Sequence, residues 1–131
     1  MTNYVAKHDK LVRHLGMTIE EASREYARVS MPITENNKNG MGVAHGGAIF
    51  ALADVAFGAA ANAGQVHGVV SLNSTIEFLR PGTASPLKAE AHLVRKGAHI
   101  QSYNVEVRDA NEQLIARCMA TGFQTDVPLP E

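Results

Sequence analysis

The sequence predicts an α+β domain in which one long apolar helix is wrapped by a curled antiparallel sheet of five to six strands. Three observations lead there. From Ala48 to Asn62 the chain is apolar on nearly every helical face, so that helix must lie inside other structure and not along a surface. From Val70 onward, apolar and polar residues alternate in four successive runs separated by turn residues, the period of half-buried strands. A chain of 131 residues, with 45% hydrophobic and 19% charged side chains, suits one domain, 1–131, that buries roughly two-thirds of its unfolded surface. A single helix facing one strongly curled sheet buries both apolar faces in one pair of layers.

The elements follow in order. Asn3 to Leu15 carries charge throughout and no apolar run, which reads as a short amphipathic helix and not as a signal peptide. Between Met17 and Ile33, Ala27, Val29, Met31 and Ile33 share one parity while Arg24, Tyr26, Arg28 and Ser30 share the other, so one or two strands are expected. Glu35 to Gly42 is rich in Asn and Gly and forms a loop. The long helix then runs from Gly46 to about Asn62, with Gly64 expected as its C-cap. Beyond it, Val70, Leu72, Ile76 and Phe78 oppose Ser71, Asn73, Thr75 and Glu77, and Leu87, Ala89, Ala91 and Leu93 oppose Lys88, Glu90 and His92. Tyr103, Val105 and Val107 continue the alternation, and Leu114 to Phe123 completes it. Turns fall at Arg80–Thr83, Arg95–Ala98 and Asp109–Glu112.

Composition excludes several functions. A formal net charge of -1 and the lack of any basic block argue against a nucleic-acid partner or an anionic membrane held by bulk electrostatics. The Ala-rich stretch from Gly42 to Val70 is no membrane span, because it carries His45, Asp54, Asn62, Gln65 and His67 and is broken by Gly64 and Gly68. The single Cys118 makes no internal disulfide and reads as core, which fits a reducing cytoplasm. His67, His92 and His99 lack metal-ligand spacing.

Asp54 is the one formal charge between Lys38 and Glu77, and it sits inside the apolar helix. A buried, unpartnered carboxylate is costly, so its presence points to chemistry. Gly46 and Gly47 open the same helix, where unpaired N–H groups suit an oxygen turning negative in a tetrahedral intermediate. The Asn39 amide or the His45 ring either adds a donor or holds the loop. Asp54 acts as general base on water, or attacks a carbonyl itself. Phe50 and Phe57, with Ala51, Gly58 and Ala61, would wall an apolar slot near Asp54 suited to an aryl or medium-length acyl group. Arg80 and Lys96 are either solvated turn residues or contacts for an anion, and Asn73 is a polar strand residue within reach of a ligand.

Asn39-Gly40, His45-Gly46-Gly47, Phe50-Ala-Leu-Ala-Asp54, Ser71 and Phe78-Leu-Arg-Pro-Gly82 together resemble the signature of the PaaI-type hotdog thioesterases, phenylacetyl-CoA thioesterase-like enzymes, over nearly the whole chain. The resemblance implies a hotdog fold and hydrolysis of acyl-CoA thioesters, with no metal and no organic cofactor. It also implies a homodimer whose sheets join, usually paired into a homotetramer, and a place in phenylacetate degradation. The residue matching Ser71 orients water in relatives, while the plain alternative is an ordinary strand polar residue. Two other functions stay open: a hotdog hydratase or dehydratase, which would need an Asp/His pair, and a non-catalytic acyl-CoA-binding module.

Spacing adds a constraint of its own. Eight residues separate Gly46 from Asp54, roughly 12 Å along one helix at about 1.5 Å per residue. One carbonyl cannot touch both. The two groups of a site are therefore expected from different subunits, with two long helices antiparallel near a two-fold axis.

Overall fold

A computed structural model describes residues 3–130. In chain order the elements are α1 (Tyr4–His8), α2 (Lys10–His14), β1 (Thr18–Ala22), β2 (Tyr26–Met31), α3 (Gly46–Ala61), β3 (His67–Phe78), β4 (Leu87–Lys96), β5 (Ile100–Arg108) and β6 (Leu114–Pro128). The strands form one six-stranded sheet in the order β1-β2-β4-β5-β6-β3, antiparallel throughout. The chain returns β3 to the far side of β6, so β3 is an edge strand beside the long helix.

The sheet curls around α3 as its composition requires. Ile49, Leu52, Ala53, Ala56, Phe57 and Ala60 are buried against inward residues of the strands, among them Val29, Met31, Ala89, Ala91, Val105, Ala116 and Cys118. So many alanines on both surfaces bring helix and sheet close, which keeps the interior filled with small side chains. At Gly122 on β6 the approach is closest. A Cβ there would stand 2.7 Å from Phe57 Cζ and 2.9 Å from Val69 Cγ1, so only glycine admits the Phe57 ring, which lies edge-on to Tyr103 at 5.6 Å.

Three expectations are corrected. The amphipathic segment is two short helices, because Asp9 adopts an extended backbone (φ -80, ψ 112) and its carboxylate caps α2 by accepting from the Leu11 and Val12 N–H groups at 3.0 and 3.3 Å. Asn62, not Gly64, is the C-cap of α3, and Gly64 supplies the left-handed turn (φ +68) just beyond it. On β3, a bulge between Ser71 and Asn73 reverses the parity read from sequence, so Val70 and Leu72 are exposed while Val69 is buried.

Asn62 ties the end of the helix to the start of β3. Its Oδ1 accepts from the Val69 N–H at 2.8 Å, and its Nδ2 donates to the Gly58 and Val69 carbonyls at 3.0 and 3.3 Å. The residue is 6% exposed, so water cannot replace these bonds. Asn62→Ala orphans the Val69 amide and should lower stability by about 1–3 kcal/mol in urea unfolding with an unchanged m-value.

Candidate active site

The start of α3 is built by its preceding loop. Buried Asn37 accepts from the Thr34 N–H at 2.9 Å, donates to the Pro32 carbonyl at 2.8 Å, and offers its own carbonyl to the His45 N–H at 2.7 Å. Asn39 Oδ1 accepts from the Met41 and Val43 N–H groups at 2.9 and 3.3 Å, so its carbonyl holds the turn in which Gly42 has φ +79. The Ala44 N–H donates to the Gly82 carbonyl at 2.9 Å, fixing the helix start to the turn after β3.

His45 is the N-cap. With an extended backbone (φ -64, ψ 136), it turns its ring back so that Nδ1 accepts the Gly47 N–H at 2.8 Å. A Cβ on Gly47 would meet that ring atom at 3.1 Å, which explains the second glycine. The expectation that Gly47 donates to a ligand is thus corrected: its N–H is occupied. The Gly46 N–H has no acceptor among the described residues. Beside Gly46 lies the Phe78 ring, 3.6 Å from where a Cβ would be and itself 52% exposed. An unpartnered N–H at a helix start, walled by an aromatic ring, is suited to receive an oxyanion.

Asp54 lies on the outward side of α3, exposed in the single chain, which corrects the expectation of a fully buried carboxylate. It has no ion-pair or hydrogen-bond partner among the described residues. Although the residue reaches solvent, surrounding protein crowds its carboxyl enough that burial raises the pKa, and the Asp9 charge raises it further. A carboxylate shifted in that direction is a stronger base.

The other candidates scatter. Ser71 is exposed on the helix-facing side of β3, its hydroxyl 3.4 Å from that of Ser74. It belongs to the end of β3 that Asn62 clamps, whereas Phe78 and Gly46 mark the other end. Seven residues of strand separate Ser71 from Phe78, roughly 23 Å at about 3.3 Å per residue. Asn73 pairs with Thr121 and, past the bulge, faces away from α3. Phe50 is half-buried at the helix surface, while Phe57 is 2% exposed, so the structure assigns Phe57 to the core and not to a ligand-facing wall. Arg80 is exposed at the Gly46 end and donates to Gln113 at 3.2 Å; Lys96 lies level with Gln101, Gly122 and Ser71, at the opposite end. Burial pushes the Cys118 thiol up to about 11, so it is no nucleophile at neutral pH. Among the described residues no cluster of His, Cys, Asp and Glu could hold a metal ion.

Sequence reasoning missed three contributors. Asn37 looked like one more loop asparagine, and only its burial reveals that it braces the cap. Phe78 was placed on a strand without its contact to Gly46. Asp9 was hidden in a segment that reads as uniformly polar, though an Asp interrupting a helical pattern is itself an N-cap signal.

Comparison with known proteins shows the family and the fold. The sequence pattern of the Thioesterase superfamily matches residues 41–116. The chain is 34% identical over 111 residues to acyl-coenzyme A thioesterase PaaI of Escherichia coli (strain K12), covering 84% of this chain and 79% of that one. The structure of the E. coli PaaI protein from the phenylacetic acid degradation operon superposes with a TM-score of 0.87 at 30% identity, over 95% of this chain and 90% of the other. A variant of the phenylacetic acid degradation protein PaaI from Thermus thermophilus gives 0.82 at 29% identity, over 89% and 100%. With a family pattern that takes in the helix carrying Gly46 and Asp54, this chain is a thioester hydrolase of hotdog fold and belongs to the thioesterase superfamily.

Proposed function

We propose that the protein hydrolyses acyl-CoA thioesters to free acid and CoA, in sites shared between two copies of the chain. One observation carries the reading: the Gly46 N–H and the Asp54 carboxylate, the two groups that acyl transfer requires, both lie at the surface of α3 without a protein partner. In the first step Asp54 takes a proton from water as its oxygen attacks the thioester carbon, or the carboxylate attacks that carbon itself. Electrons of the carbonyl move to its oxygen, which the Gly46 N–H receives. Collapse breaks the C–S bond and expels CoA thiolate; in the second route water then opens the mixed anhydride.

Two subunits supply one site, because along one chain Gly46 and Asp54 are about 12 Å apart and Ser71 lies near the other end of β3. Antiparallel pairing of two β3 edges would bring Ser71 of the partner subunit toward Gly46, and Lys96 of the partner subunit toward the end where Arg80 awaits CoA phosphates. Such dimers pair into a homotetramer in the cytoplasm. The acyl group is aryl, arylacetyl or of medium length, received against Phe50, Ala51 and Phe78, and phenylacetate degradation is a fitting context given the E. coli and Thermus relatives. The thioesterase reading is favoured over a hydratase because His45 Nδ1 is engaged by the Gly47 N–H as a helix cap and is not free to act as a base.

Phenylacetyl-CoA, benzoyl-CoA and medium-chain acyl-CoAs should release free thiol with saturating kinetics. Saturable binding without release of thiol would select a binding module instead. Asp54→Asn should cut turnover at least about a hundredfold with little change in KM, whereas near-normal turnover would remove Asp54 from the mechanism. The same change bears on stability. Because the fold raises the Asp54 pKa, its ionised form destabilises the fold above that raised value, and the cost vanishes as pH falls below the ordinary carboxylate range. Asp54→Asn should therefore melt higher than wild type at neutral pH, with the gap closing in acid.

Subunit complementation tests the shared site. Asp54→Ala is one inactive parent and Gly46→Pro the other; proline suits the first helical position and the extended His45 before it, and removes the donor. With random exchange about half the dimers are mixed and one of their two sites carries neither lesion, so roughly a quarter of wild-type activity should return. A mixture that exchanges subunits and stays dead would refute sharing.

A further inference from the structure

We propose that Asp9 is a positioning residue for the reaction, a second carboxylate fixed at the α1–α2 junction to face Asp54 and set the pH range in which Asp54 works. The inference rests on the role given to Asp54 above. The geometry comes from the way α1 lies on α3. Asn3 Nδ2 donates to the Ala59 carbonyl at 3.0 Å, and Val5 Cγ2 lies 3.8 Å from the Cβ position of Gly58, so the two helices run antiparallel. One turn onward from Val5 is Asp9, and one turn back from Gly58 is Asp54, which brings the two acids to the same level. Asp9 is not free to swing away, because its carboxylate holds the Leu11 and Val12 N–H groups.

Asp54 is the sole charged residue of α3, and the inward residues of all six strands carry none, Ile19 and Ala22 on β1 and Val69, Ser71, Ser74, Ile76 and Phe78 on β3 included. The titratable groups there are Tyr103, whose hydroxyl donates to the Arg24 carbonyl at 2.5 Å, and Cys118, a neutral thiol at pH 7. On α1 and α2, Lys7, His8 and Lys10 adjoin Asp9 in sequence. Of all these groups, Asp9 is the one that adds to the effect of burial in raising the Asp54 pKa. Ionising Asp54 beside a fixed negative charge is disfavoured, so its proton is held to higher pH and the base formed is stronger.

Asp9→Asn removes the charge and keeps the cap, since Asn caps as well as Asp; Asp9→Ser is a second neutral capping variant. The direct measurement is a carbon-13 titration of the Asp54 carboxyl by NMR, paired with the pH profile of kcat/KM on the acyl-CoA hydrolysed fastest. Both the titration midpoint and the acid limb should move to lower pH in the variants. Raising salt to about 0.5 M should move the wild-type midpoint the same way and leave the variants unmoved, a signature that a merely structural cap would not give. An Asp54 midpoint that neither neutral variant nor salt displaces would overturn the proposal. Asp54→Asn separates the two readings: if it stays active the catalytic assignment falls, and if it is dead while the midpoint ignores Asp9, only the role of Asp9 falls.

Discussion

The structure depends on enclosing a helix whose backbone ends must still find partners. α3 is apolar enough to be wrapped by sheet, yet every helix leaves unpaired N–H groups at its start and carbonyls at its end. At the C-terminal end side chains and backbone meet most of the demand: Asn62 bonds both backbone groups of Val69 and the Gly58 carbonyl, Asn3 reaches over from α1 to the Ala59 carbonyl, and the Ala63 N–H donates to the Ala60 carbonyl. At the N-terminal end it is met only in part. His45 occupies the Gly47 N–H and leaves that of Gly46 open. That asymmetry separates a closed end from the open one at which the oxyanion donor is proposed.

Much of the remaining chain serves to aim the open end. The turn after β3 accepts the Ala44 N–H through Gly82, and a Cβ at Gly82 would come within 3.0 Å of Ala44 Cβ, so turn and helix start are locked together. Phe78 is the last residue of β3, which places its ring against Gly46 as a consequence of the same lock. Asn37, buried beneath the loop, fixes where His45 begins its turn. The oxyanion donor proposed at Gly46 would require placement within a few tenths of an ångström, and a cap, a turn and a buried amide share the task of fixing that helix start.

The fold was legible because its signals are periodic and redundant. The all-round apolar helix and the alternating strands each state their own class, and six strands fall within the range expected. Failures occurred where one residue changes the geometry of many. The bulge at Ser71–Asn73 inverts the facing of the first part of β3, so Val70 and Leu72 turn out and Ser71 turns to the helix side, and no alternating pattern marks such an insertion. Phe57 looked like a ligand wall because an aromatic near an acid has the right composition; only the glycine at position 122, distant in sequence, makes room for it in the core. The helix start was readable from His45-Gly46-Gly47, but which N–H the ring would occupy depends on the turn of an imidazole, a three-dimensional matter. Asp54 illustrates the same limit, since its isolation from other charge was plain in sequence while its neighbour Asp9 is brought near by packing alone.

Two independent rulers constrain how a complete site would be assembled. The helix separates Gly46 from Asp54 by eight residues, and the strand separates the Gly46 end from Ser71 by seven, so rigid elements of both kinds hold the candidate site residues apart. Neither element can be shortened without unwinding secondary structure, which is why a loop movement within one chain does not close the gap. A two-fold axis beside α3 and β3, as proposed, would reverse both rulers together and would lay the Asn62 end of one chain against the Gly46 end of the other. β3 is the long edge strand of the sheet, and its backbone groups on the free side require a partner or water. Pairing that edge with its own copy would satisfy those groups and bring the separated residues together in one step. In the proposed dimer, completion of the sheet and completion of the catalytic centre are therefore the same event.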